Sequence, residues 1–332
     1  MTRVDTNATD LLAQLAPWLA EHAPQIGPAV EMIKFSVGQS NPTYELVTKQ
    51  GRYVLRTQPA GVLLKSAHAV DREFRVISAL AETDVPVAKA YVLCEDEAII
   101  GRDFYVMEHV EGRVIRDFSL PGMSPADRRA HYAEMGRVLA ALHEVNWREK
   151  ELTTYGREGG YCSRQVKRWS TQYEASKTDD VPEMDKLIRW LSENMPESEQ
   201  TTIVHGDYRM ENTIFHPERP EILAVIDWEL GTLGDPLSDL AYNCLNYHVA
   251  DPERGDITQI DLEEHGILTE DEYVETYCKA RGISPPSNWS FYLALSLFRL
   301  GAIAQGVYKR GLDGNASSPD ALKRGAKARQ LA

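Results

Sequence analysis

Three residues of this chain are the most capable of doing chemistry together: Asp207, Asn212 five positions later, and Asp227 fifteen positions beyond that. The first two sit in His205-Gly206-Asp207-Tyr208-Arg209-Met210-Glu211-Asn212, between apolar runs at 202–204 and 213–215. The third follows a second apolar run, 222–226, and opens Asp227-Trp228. Phosphoryl transfer needs a carboxylate that orients an attacking hydroxyl and accepts its proton. It also needs hard oxygen ligands for a Mg²⁺ that bridges nucleotide phosphates. Asp207 suits the first role. Asn212 and Asp227 suit the second, because a hairpin between them returns Asp227 to the loop. Taken singly each has an ordinary alternative, since an Asp at a strand end commonly caps or turns the chain. His205 is read as a brace that hydrogen-bonds the loop rather than as a metal ligand. The full order, H-G-D-x4-N and then apolar-D-W, is far more specific than its parts.

The elements that must position these residues can be read from periodicity. Leu11, Leu12, Leu15 and Leu19 predict an amphipathic helix over 6–21. Short strands are expected at 32–37, 43–48 and 52–57, separated by turns that contain Gly38 and Gly51. Val70, Phe74, Ile77 and Leu80 mark one face of a helix, and strands follow at 90–94 and 103–108. Beyond His109-Val110-Glu111-Gly112 the pattern turns helical, with helices expected at 126–145, 163–176 and 184–195. The expected outcome is an α+β chain in two lobes. Residues 1–108 form a small antiparallel-sheet lobe, and residues 109–332 a larger, mainly helical one.

The segment HGDYRMENTIFHPERPEILAVIDWELGTLGDPLSDLAY resembles the active-site block of the aminoglycoside phosphotransferase-like family, relatives of the protein kinases. Three further segments, YVLRTQPAGVLLKSAHAVDREFRVISAL, RQVKRWSTQY and FRLGAIAQGVYKRGLDGNASS, resemble the branch that includes kinase domains fused to acyl-CoA dehydrogenases. The resemblance implies a two-lobed protein-kinase-like fold with ATP between the lobes. It implies Asp207 as catalytic base and Asn212 and Asp227 as magnesium ligands. Asp235-Pro236 reads independently as an N-cap followed by a first-turn proline, and Asp239 is expected to support the catalytic loop rather than to react.

The nucleotide half follows from a misplaced charge. Glu73 falls on the apolar side of its helix, where a carboxylate is costly unless a cation meets it. Arg56, on the preceding strand, is the natural partner, in the place where kinases carry a phosphate-touching lysine. Gly38, Ser40 and Asn41, in the first β-turn, are candidates to present N–H groups and side chains to phosphate. The stretch around Glu108 and Val110 is expected to hydrogen-bond adenine through its backbone.

Arg164, Lys167 and Arg168 lie on one predicted helix with Arg157 just before it, a basic cluster in a chain of net charge −14. Together with Arg209, and with Arg299 and Arg310 where the fold brings them near, Arg164 and Arg168 are candidates to hold an anionic acceptor. The resemblance implies 4-hydroxyacyl-CoA thioesters. Two alternatives remain: an antibiotic kinase acting on aminosugars, and a catalytically silent nucleotide-binding module that regulates a partner.

The acidity (pI near 5.2) argues against a general nucleic-acid binder. Four scattered cysteines form no CxxC pair and read as reduced cytoplasmic thiols. Asp5, Asp10 and Glu21 break the basic-then-apolar order of a signal peptide. The apolar stretch 291–308, interrupted by Arg299 and Gln305, reads as a buried core helix rather than a bilayer span. The expectation is a soluble, cytoplasmic enzyme with a small hydroxylated substrate and no nucleic-acid or membrane partner.

Overall fold

Alternation of buried and half-buried residues builds the first sheet. A computed structural model describes residues 6–35, 41–59, 69–197, 200–314, 321–325 and 331. It divides the chain into two units, neither continuous in sequence. Residues 1–114, 148–155 and 212–231 form the first, and 115–147, 156–211 and 232–332 the second.

In the first unit five strands form one antiparallel sheet: β1 (Ala29–Lys34), β2 (Thr43–Thr48), β3 (Arg52–Thr57), β4 (Ala90–Cys94) and β5 (Phe104–Glu108), in the order β1-β2-β3-β5-β4. β2 alternates strictly, with Tyr44, Leu46 and Thr48 inward. β3 is central, and its Tyr53, Val54 and Leu55 are buried in succession because both of its sides are covered. β1 begins three residues earlier than its apolar run suggests, since Ala29 already pairs with Thr48. α1 (Thr6–His22) lays Leu11, Leu15 and Leu19 against Leu46, Leu55 and Val106 of the sheet. Each such side chain, fully buried, contributes about 1.5–3 kcal/mol. α2 (Val70–Leu80) buries Val70, Glu73, Val76, Ile77 and Leu80. Phe74, expected on that face, is half-buried against the edge of Tyr105. A short α3 (Glu97–Ile100) is capped by the Asp96 side chain.

The second unit is mainly helical: α4 (Pro125–Glu144), α5 (Tyr161–Ser176), α6 (Pro182–Glu193), α7 (Pro236–Asn243), the four-residue α8 (Leu262–His265), α9 (Glu270–Arg281), α10 (Trp289–Leu312) and α11 (Ala321–Gly325). Its core clusters Trp169, Tyr173, Phe291, Leu295 and Phe298. A two-stranded ribbon, β6 (Thr202–Val204) with β9 (Thr232–Gly234), brackets the His205-Gly206-Asp207 loop. The remaining hairpin, β7 (Thr213–Phe215) with β8 (Ile222–Val225), belongs to the first unit. There Arg113 and Phe215 exchange backbone hydrogen bonds of 2.7 and 2.8 Å.

α10 is longer than the expected 291–308. At 24 residues it is long and apolar enough to cross a membrane by length and composition, and half of its most apolar window is buried inside the protein. Its interruptions are bonded inward. Gln305 Nε2 donates to Ser176 O (2.9 Å) and Thr178 Oγ1 (3.0 Å), and Arg299 Nη2 donates to Gly206 O (2.7 Å).

Candidate active site

α7 begins where the sequence places a cap. Asp235 accepts from the N–H groups of Leu237 (2.9 Å) and Ser238 (3.2 Å), and Pro236 fills the first turn, where no N–H partner is needed. One turn on, the buried carboxylate of Asp239 accepts from two successive backbone donors. His205 N–H reaches Oδ2 at 2.7 Å and Gly206 N–H reaches Oδ1 at 2.8 Å. Asp239 therefore holds the loop directly before Asp207.

His205, fully buried, continues the brace: its Nδ1 accepts from the Asp207 N–H at 3.2 Å. Arg299 secures the same loop from α10 through the Gly206 carbonyl, its guanidinium 4.3 Å from the Tyr242 ring centre. Behind Asp239 stands His143, with Nε2 at 3.4 Å from Oδ2 and Nδ1 at 2.6 Å from the Tyr277 hydroxyl. Arg281 Nη1 donates to that hydroxyl at 3.0 Å.

Burial holds the His143 imidazole below its ordinary value, that is, neutral. Burial alone would raise the Asp239 carboxyl, but the His143 and His205 contacts outweigh it and keep the group below its usual range. A neutral imidazole donating to a carboxylate that already accepts two N–H bonds satisfies every partner.

Arg209 pairs with Asp207 (Nη2 to Oδ2, 3.1 Å) and with Glu211 (Nε to Oε2, 3.4 Å). Of the expected acceptor-binding arginines it is the one brought to Asp207. Arg164 is spent on its own loop, donating to the carbonyls of Gly159 and of Arg157 (2.9 Å). Arg168 is exposed and lies 5.2 Å from the Trp169 ring centre, and Lys167, Arg157 and Arg310 are also exposed.

The chain enters the first unit within the turn Met210–Asn212. There Ile226 N–H donates to Asn212 O at 2.9 Å, so the hairpin does return Asp227 beside Asn212. Asp227 adopts the left-handed conformation, φ 67° and ψ 59°, which aspartate tolerates better than most residues. Its Oδ1 accepts from Arg56 Nη2 at 3.0 Å. The same guanidinium meets Glu73, Nε to Oε2, at 2.7 Å, and Glu229 lies 4.0 Å from it.

Glu73 is almost wholly buried and has three partners: Arg56, the Tyr105 hydroxyl (3.1 Å) and Asn41 Nδ2 (2.8 Å). Burial pushes its carboxyl above the ordinary value, with Arg56 pulling the other way. Burial works against the Arg56 charge too, yet Glu73, Tyr105 and Asp227 together push its pKa above an arginine's usual value. Arg72, next to Glu73 on α2, donates to Tyr155 O (2.7 Å) and Gly231 O (3.2 Å), which ties the helix to the turn that follows Asp227.

Asn41, expected at phosphate, thus directs its side-chain amide to Glu73. Gly38 and Ser40 lie outside the described residues. Glu108 ends β5 with its N–H bonded to Lys89 O at 2.8 Å, and Val110 follows in irregular, half-buried backbone. The sequence reading missed Tyr105, His143, Tyr277 and Arg72. Tyr105 had a signal: it pairs directly with Arg56 across β3 and β5, so the two side chains share a face.

The donor set of Asn212 and Asp227 is hard oxygen, from one amide and one carboxylate. It fits Mg²⁺, which keeps several waters and draws further ligands from substrate phosphates. The Asp227 carboxylate is partly exposed, which leaves it open to such an ion.

The model of the phosphotransferase enzyme family matches residues 31–286. Mouse acyl-CoA dehydrogenase family member 10 is 47% identical over 308 residues, which cover 92% of this chain and 29% of that protein. The chain spans less than half the length of the curated relatives it matches here. A crystal structure described as a "putative aminoglycoside phosphotransferase" from Ralstonia eutropha is 47% identical and superimposes with a TM-score of 0.89, covering 96% of this chain and 95% of that one. The streptomycin–ATP complex of an aminoglycoside phosphotransferase, 16% identical with a TM-score of 0.60 over all of this chain, shares the kinase-like α+β fold. This chain belongs to the phosphotransferase enzyme family, in a branch with proteins named for acyl-CoA dehydrogenases.

Proposed function

We propose that this protein transfers the γ-phosphoryl group of ATP to the hydroxyl of a small molecule, with hydroxyacyl-CoA thioesters as the acceptor class. The observation that carries the reading is the Asp239 clamp on His205 and Gly206, which fixes the backbone immediately before Asp207. In this reaction the acceptor oxygen forms a bond to the γ-phosphorus while the bond to the ADP oxygen breaks, and the hydroxyl proton passes to the Asp207 carboxylate. Asn212 and Asp227 would hold Mg²⁺, which when bound supplies positive charge for the phosphate oxygens. Arg56, kept charged and shared between Glu73 and Asp227, offers a guanidinium fork to the nucleotide phosphates. Glu108 and Val110 are assigned to the adenine.

The acceptor class rests on similarity to the acyl-CoA dehydrogenase family proteins, and the cytoplasm is the compartment that reading favours. A second reading, phosphorylation of an aminoglycoside, is favoured by the name of the Ralstonia protein at equal identity. ADP release measured with a hydroxyacyl-CoA and with kanamycin separates the two: faster turnover of kanamycin would overturn the first. Asp207→Asn is expected to lower kcat by at least about 100-fold while ATP binding, followed by calorimetry, is retained. Loss of ATP binding in that variant would instead assign Asp207 to the metal.

A further inference from the structure

We propose that a tyrosine-lined pocket bordered by Arg209, the ion-pair partner of Asp207, and lying wholly within the helical unit is a subsite for a short apolar chain of the acceptor. The inference rests on the phosphoryl-transfer reading for the identity of the reacting group, and on the pocket itself for everything else. The pocket has a volume of about 110 Å³. Tyr208, Arg209 and Met210 of the loop line it, as does Tyr242, and Arg209 is paired with Asp207 at 3.1 Å. The charge of Asp207 is felt by the Tyr242 phenol, which burial and that carboxylate both raise above its ordinary value.

Four of the pocket's five tyrosines have their hydroxyls bonded to protein partners. Tyr132 OH donates to Phe118 O (2.8 Å), Tyr208 OH to Met135 O (3.0 Å), Tyr247 OH to Leu268 O (2.9 Å) and Tyr273 OH to Asn243 Oδ1 (2.5 Å). With those hydroxyls bonded to backbone and amide partners, the tyrosine rings and the side chains of Met210, Ile257 and Leu300 make the lining mostly apolar, with Asn246 and Asp256 among its polar members. Such a surface gains by burying methylenes and offers little to a polar sugar.

The two arginines at its rim do not make it an anion site. Arg209 is met by Asp207 and Glu211, and Arg254 by Glu211 (2.7 Å) and Asp251 (2.9 Å). Their charge is balanced within the unit, so the part of the acceptor that enters is neutral. An alkyl tail beyond the carbinol carbon meets that description. By proportion with an apolar cavity of about 150 Å³ that holds benzene, this pocket takes about four carbons.

The test is a series of 4-hydroxyacyl-CoA thioesters carrying no carbon, two, four or six carbons beyond the carbinol. Binding is measured by calorimetry on the full chain without nucleotide, and ADP release is measured separately. In the unsubstituted protein Kd is expected to fall about fourfold per methylene and to level off at about four carbons. Ile257→Trp, which fills the pocket, should remove the dependence on tail length. Ile257→Ala, which enlarges the pocket and cannot overpack it, should move the plateau to longer tails. Tail-dependent binding that both variants alter supports the subsite even where no ADP forms, and in that case the transfer reading fails alone. Binding that ignores tail length, a dependence unchanged in both variants, or no binding of any thioester overturns the subsite even where ADP is released.

Discussion

Two buried carboxylates, Glu73 in the sheet unit and Asp239 in the helical unit, are hidden to nearly the same degree, at 2% and 3% exposure. They are held by opposite means. Glu73 is met by a full positive charge on Arg56, and burial still drives its carboxyl upward. Asp239 is met by two backbone N–H groups and a neutral imidazole, and its carboxyl is held below the ordinary range. Backbone donors are already fixed by the fold, so they stabilise an anion without side-chain ordering and without a second charge to desolvate. The Asp239 arrangement is suited to holding a loop still. The Arg56 arrangement is suited to sharing: a guanidinium that contacts both Glu73 and Asp227 can redistribute its bonds when further charges arrive.

The sharpest way to break this comparison is Arg56→Met. It leaves the Glu73 carboxylate buried without its cation and is expected to cost about 3–5 kcal/mol of stability in urea unfolding. The loss should shrink at low pH. The folded-state value of Glu73 is raised above 4.5, so its contribution is present below that pH and is lost as pH rises through the folded value. A change under about 1 kcal/mol would mean that Asn41 and Tyr105 alone hold Glu73, and the contrast would collapse.

Asp239→Asn comes next. The amide offers one accepting oxygen where the carboxylate offers two, so one of the His205 and Gly206 donors loses its partner, at about 1–3 kcal/mol. Because that loop carries Asp207, kcat should fall by more than ATP affinity does. Equal effects on both would remove the distinction between holding and sharing.

The smallest effect concerns the neutral histidine. Its folded value is lowered below 6.5, so its contribution is present above that pH and lost as pH falls. The unsubstituted protein should lose more stability between roughly pH 7 and 5.5 than His143→Gln does. Parallel curves would show that His143 charges as readily in the folded chain as in the unfolded one.

The same comparison explains what could be read beforehand. Glu73 announced itself by breaking the apolar period of α2, and Arg56 followed as the nearest cation on a neighbouring strand. Asp239 was legible as loop support because Asp235-Pro236 fixes the start of α7 and so the turn on which Asp239 falls. His143 was not, since a neutral histidine 96 residues away leaves no mark in periodicity or charge. That the Asn41 amide meets Glu73 was not legible for a related reason. A small polar residue near a turn suits phosphate and a buried carboxylate equally well, and only the backbone path decides between them. Arg164 misled because charge was counted without its partners. Two loop carbonyls, invisible in sequence, already occupy its guanidinium. Arg299 and Gln305 were legible as interruptions within α10 but not as to what they meet: both reach protein carbonyls from within the helix.

The sheet unit takes in residues 148–155 and 212–231 as well as the first 114, and this sets how the protein can be dissected. A fragment cut after residue 108 would keep Arg56 and Glu73 but lose Asp227 and Glu229, two of the three acids around the guanidinium. It would also lose both Arg113 and Phe215, whose backbones pair, and the Tyr155 and Gly231 carbonyls that hold Arg72. The sheet unit is therefore not a module that can be excised at one point or exchanged between relatives as a block. Chimaeras should graft the hairpin 212–231 along with the sheet.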